Sequence, residues 1–104
     1  MSAICNPRVT WGARAVVLNA ADNSPSRVMT IAYHDVGAVE YRDAWGEVAA
    51  MLKLCGSQHS EIIEFGGEHP STGSDGDAWN AYWARRRSAT REFCAELARR
   101  MESA

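Results

Sequence analysis

The chain has 104 residues, a net charge of −2 and a hydrophobic fraction of 46%. Alanine supplies 17 of its residues, and Leu, Ile, Val and Phe together supply only 17 more. That length excludes a large multidomain enzyme, and no run of 18 apolar residues could form a membrane-spanning helix. So few aliphatic residues signal disorder only when the net charge is high. With four Trp and three Tyr present, the expectation is one folded domain over residues 1–104 with a core weighted toward aromatics.

The first residues carry neither a basic segment nor an apolar one, so no signal peptide is expected. Residues 8–18 read as a strand. Val9, Trp11, Ala13, Ala15 and Val17 share one face, and Gly12 marks a bulge or a delayed start. Residues 19–26 are dense in turn formers, and residues 27–34 alternate as a second strand, which makes a hairpin with a long loop.

Residues 38–42 predict a short third strand, with Asp43 as the N-cap of a helix. From 43 to 55 the spacing of Trp45, Val48, Ala49, Leu52 and Cys55 is helical, and Gly56 is placed to end that helix. Residues 60–66 predict another strand. Residues 66–76 form the longest loop, with four Gly and one Pro.

The last predicted element is a helix over 77–101, capped by Asp75 or Asp77, with a stripe of Trp79, Tyr82, Ala89, Phe93, Leu97 and Met101. It is longer than a small sheet needs, so part of it is expected to project or to meet a partner. The predicted class is α+β, with a small antiparallel or mixed β-sheet of three to four strands. Two α-helices pack on one face of it, in the order β-β-(β)-α-β-α.

Cys5, Cys55 and Cys94 are an odd number without close spacing. They are expected to be reduced thiols in a cytoplasmic protein. Cys55, His59 and His69 could ligate a metal only if the fold gathered them, since Gly56 breaks any helical register between the first two. No nucleophile signature surrounds any Cys or His. Glu61, Glu64, Glu68 and His69 read as the solvated side of a strand and loop rather than an acid–base pair. The glycines of 66–76 lack the Lys of a phosphate loop, and Asp75 and Asp77 would repel phosphate. No cofactor and no metal are predicted, and the chain is expected not to be an enzyme. A small metal-dependent or thiol enzyme is the third reading.

The charge is unevenly placed. Residues 1–76 hold nine acids and five bases, whereas residues 77–104 hold six Arg and four acids. In that second segment Trp79, Tyr82, Trp83, Arg86, Arg87 and Arg91 bring together residue types enriched at interface centres. They are the predicted partner-binding residues of a non-catalytic protein–protein interaction module. Nucleic acid, held by the same Arg and aromatic residues, ranks second. A homodimer is plausible through an exposed edge strand or the long helix. The size and the Arg- and Ala-rich composition fit a small inhibitor or accessory protein of bacterial, phage or mobile-element origin, of anti-CRISPR or immunity type.

Overall fold

A computed structural model describes residues 3–20, 27–44 and 47–103. Among these residues seven strands form two sheets, and one helix follows them. The strands are β1 (Ala3–Cys5), β2 (Arg8–Trp11), β3 (Ala15–Ala20), β4 (Arg27–Ala32), β5 (Val36–Ala44), β6 (Glu47–Leu54) and β7 (Ser60–Glu64). The helix, α1, runs from Gly76 to Ser103. One sheet has the order β1-β7-β6-β5, with β1 parallel to β7 and the other pairs antiparallel. The second sheet is β2-β3-β4 and wholly antiparallel. A 3₁₀ turn, Tyr33–Asp35, carries the chain from the edge of the second sheet to the edge of the first.

The expectation of two helices on one small sheet is therefore overturned: the described residues form one α-helix and two sheets. The error lies in residues 43–55. Val48, Ala49 and Leu52 satisfy a helical stripe, but Val48, Ala50 and Leu52 equally satisfy a strand face. A short apolar run cannot distinguish these by period alone. Ladders on both sides decide it, since β6 pairs with β5 and with β7. A strand in that central position buries both faces, which is why Val48, Ala49 and Ala50 are all buried in succession. Asp43, expected to cap a helix, lies within β5. Trp45, expected on the core stripe, lies outside the described residues.

Two further differences are smaller. The strand expected over 8–18 is two strands, reversed by a tight turn in which the Gly12 N–H donates to the Ala15 carbonyl at 2.9 Å. The reversal changes the phase. Val9 and Trp11 lie opposite Leu18 and Val16, so the core face carries 9, 11, 16 and 18 rather than 13, 15 and 17. Strand β1 was not expected at all. The hairpin of β3 with β4 forms as anticipated, and its loop, 21–26, lies outside the described residues.

The core is a layer shared by both sheets and the helix. Ile4, Val16, Leu18, Ile31, Leu52 and Ile63 from the sheets meet Phe93 and Leu97 from α1. The helix begins where Asp75 Oδ1 accepts the Ala78 N–H at 2.9 Å, which confirms one of the two expected caps. At 28 residues it is about 42 Å long, close to the 45 Å long axis of the molecule. It does not project from a small sheet, because it crosses two.

The first half of α1 is fixed by Arg86, a buried arginine with 7% exposure. Its Nη2 donates to the Val48 carbonyl at 2.8 Å and its Nη1 to Tyr82 Oη at 3.2 Å. Its stem passes against Gly66, which has φ +127° and whose added Cβ would fall 2.1 Å from Arg86 Cγ. Neighbouring Gly67 also has positive φ, but an added Cβ there meets nothing within 4 Å. Gly67→Ala should therefore cost only the left-handed strain, about 1–2 kcal/mol. Gly66→Ala adds a clash with a buried side chain and should cost about 3 kcal/mol or more. Urea unfolding measures both. Equal losses would show that the Arg86 stem does not set the requirement.

Candidate functional site

The six residues singled out from the sequence form one neighbourhood, but most of them face the protein. Tyr82 is 2% exposed and Arg86 is buried with it. The Arg86 guanidinium lies 5.0 Å from the Trp83 ring centre and 5.7 Å from that of Tyr82. Its Nε is buried without a hydrogen-bond partner among the described residues. Arg87 pairs with Asp43 of β5 at 3.4 Å. Arg91 sits over the Tyr41 ring, also of β5, at 5.1 Å. Trp79 and Trp83 are half-buried and make edge contacts with Tyr82 at 5.9 and 5.2 Å. His69, from the long loop, lies 4.9 Å from Tyr82. The partial faces of Trp79 and Trp83 are what this end of the helix offers a partner.

The remaining helix arginines are similarly engaged. Glu96 accepts two hydrogen bonds from Arg99, at 2.6 and 3.0 Å, and one from Arg100 at 2.7 Å. Arg100 also donates to the Gly12 carbonyl at 3.1 Å and lies over the Trp11 ring. Among the described residues, Arg85 is the one helix arginine without such a partner. The basic surplus of the last segment thus acts mainly within the fold.

The metal and thiol candidates do not converge. No group of three or more His, Cys, Asp or Glu side chains among the described residues could hold a metal ion. Cys55 is exposed in the turn after β6, whereas His69 packs on the helix start. Burial holds the Cys94 thiol up at about 11. Cys5 is also raised, first by burial and then by its hydrogen bond to Glu64, at 3.4 Å. Neither has the electropositive, accessible setting of a reactive thiol.

The clearest concave feature lies elsewhere. A groove of about 560 Å³ runs between β2 and the second half of α1. Val9, Trp11, Phe65 and Phe93 supply its apolar surface, with Glu92 and Arg99 among its charged lining residues. Phe93 joins the floor, with its ring 5.4 Å from Trp11 and 5.0 Å from Phe65. These residues come from three separate parts of the chain. The alternation of Val9 and Trp11 and the helical spacing of Ala89 and Phe93 are visible in the sequence; their meeting is not.

The β2 backbone completes the groove. Successive N–H groups along a strand point to opposite sides. Since the Gly12 N–H points toward β3, those of Val9 and Trp11 point away, along an edge with no further strand among the described residues. Glu92 on the opposite lip has no cationic partner among the described residues. No protein family, curated protein or solved structure matches the chain. Among the described residues no helix is long and apolar enough to cross a membrane.

Two outcomes test this description. The Arg99 and Arg100 hydrogen bonds hold the Glu96 carboxyl well below its ordinary value, at about 2. A depressed folded pKa stabilises above the unfolded pKa and is lost as pH falls through the folded one. The stability gap between wild type and Glu96→Gln should therefore close between pH 4.5 and about 2. A gap that stays constant in acid melts would contradict the pairing. Separately, a thiol reagent at pH 8 should modify Cys55 first and Cys94 last, with full reaction only after unfolding. Rapid labelling of Cys94 in the native protein would show that its burial is wrong.

Proposed function

We propose that the chain is a non-catalytic protein-binding module that captures an extended segment of a partner protein along the open edge of β2. The observation that carries this reading is the unpaired backbone of Val9 and Trp11 beside an apolar groove. An added strand gains affinity from backbone hydrogen bonds and specificity from side chains that enter pockets at every second position. A groove of about 560 Å³ is within the size range of specific binding sites.

The chemistry of the segment follows from the walls. Trp11, Phe65 and Phe93 call for apolar side chains at alternate positions. The free carboxylate of Glu92 calls for a Lys or Arg next to one of them. Such capture suits an inhibitor or an accessory protein, because a strand held here is withheld from its other contacts. Trp79 and Trp83 lie outside the groove and are available only as a secondary contact.

A displayed library of random peptides tests this. Selected peptides should share alternating apolar residues with an adjacent base, and their binding should slow amide exchange at Val9 and Trp11. Glu92→Arg, on an exposed helix position, should weaken them by roughly tenfold while leaving the fold intact. Selected peptides that leave those two amides unprotected, or that bind Glu92→Arg equally well, would defeat the proposal.

A further inference from the structure

We propose that two copies of the chain join edge to edge through β5, across a twofold axis at Tyr41, to make one continuous sheet. Among the described residues β5 is the longest strand, with nine residues, and it is paired on one side only, by β6. Near its start the register slips between Val36 and Ala38, and such a bulge protects an edge from pairing. From Ala38 to Ala44 the register is regular. That stretch has no Pro, no Lys and no bulge, and of the usual devices against edge pairing it keeps only charged side chains, Glu40, Arg42 and Asp43.

The sequence of this regular stretch complements itself. A twofold axis between antiparallel strands pairs residues placed symmetrically about its centre. Centred on Tyr41, the midpoint of 38–44, it sets Ala38 opposite Ala44 and Val39 opposite Asp43. It sets Glu40 opposite Arg42, and by symmetry Arg42 opposite Glu40. Opposite charges directly across two strands stabilise, and like charges destabilise. Within one chain Glu40 has no cationic partner among the described residues, and Arg42 reaches Glu47 only at 3.8 Å. The second copy supplies the closer partner to both.

The other face is prepared for the same contact. Asp43 is already neutralised by Arg87 and so brings no free charge to the seam. Each Tyr41 is covered by its own Arg91 and meets the other Tyr41 at the axis. Small alanines at both ends allow the strands to close. An axis perpendicular to the sheet keeps both helices on one side. The β2 grooves lie on the other sheets and stay open, so this inference does not depend on the binding reading above.

Analytical ultracentrifugation of the full chain tests the proposal. Wild type should dimerise. Glu40→Arg and Arg42→Glu should each weaken the dimer by roughly tenfold or more, because each places two like-charged pairs across the seam. The double exchange Glu40→Arg/Arg42→Glu should return the constant to within roughly threefold of wild type. Circular dichroism and thermal melts establish that each variant folds. If a single reversal does not fold, the concentration dependence of amide exchange over 38–44 in wild type carries the test, with protection expected to rise on dimerisation. A monomeric wild type, a dimer indifferent to the reversals, a folded double exchange no better than the single variants, or exchange over 38–44 independent of concentration overturns the proposal.

Discussion

The buried Arg86 guanidinium constrains the rest of the fold. Removing a full charge from water is costly unless its donors are satisfied. Here a strand carbonyl, a tyrosine oxygen and two aromatic faces take the place of a carboxylate, and Nε alone is left without a hydrogen-bond partner among the described residues. Each partner comes from an element that must therefore be in register. Val48 fixes α1 over the central strand β6. Tyr82 and Trp83 fix the rotation of the helix, since Tyr82 lies one turn earlier on the same face. Gly66 fixes the path of the chain leaving β7, because no side chain fits there. Lysine could not replace Arg86, having neither the planar face that stacks nor the fork that reaches two acceptors.

The same construction recurs at the far end of the helix. Arg100 donates to a backbone carbonyl, that of Gly12, and lies over the rings of Trp11 and Tyr33. Between the two arginines, Phe93 and Leu97 fill the core. One long helix is thus pinned to the first sheet by Arg86 and to the second by Arg100. This gives the composition a physical meaning. A chain with few aliphatic residues and ten Arg to one Lys builds its helix–sheet interfaces from stacked guanidinium and aromatic layers. Arginine suits this because its weakly hydrated plane tolerates burial better than an ammonium group does.

What could be read in the sequence follows from how local each signal is. Helix α1 was legible because its apolar spacing repeats over many turns and Asp75 stands before it. The β3–β4 pairing was legible because two alternating runs flank a polar loop. Strand β6 was not, because alanine is a strong helix former and its neighbours in the sheet decide the outcome from outside the segment. Strand β1 is three residues long and exists only through β7, some sixty positions away. The aromatic and arginine residues of α1 are close in sequence and lie along the same stretch of the helix. The direction they face was not legible, because a stripe of Tyr82 and Arg86 has the same spacing whether it faces solvent or Val48. The groove was invisible, since Val9, Phe65 and Glu92 meet only after the sheets form.

Of the four edge strands, β1, β2, β4 and β5, β5 and β2 differ in a way that assigns them different occupants. Along β5 the charges alternate in sign about a central residue, so the strand complements itself. Along β2 they do not. Its four residues, Arg8–Trp11, carry a single charge, and a twofold axis within them aligns at most three residues with their partners. What stands beside β2 is instead an apolar trough whose lip carries Glu92, an acid with no cationic partner among the described residues, and the proposed occupant is a different sequence. A strand edge costs a protein solubility unless it is blunted or used. In this chain the bulge at Gly37 blunts only the start of β5, and no comparable device interrupts β2. The β2 and β5 edges each stand beside surroundings with the chemistry to bind a strand.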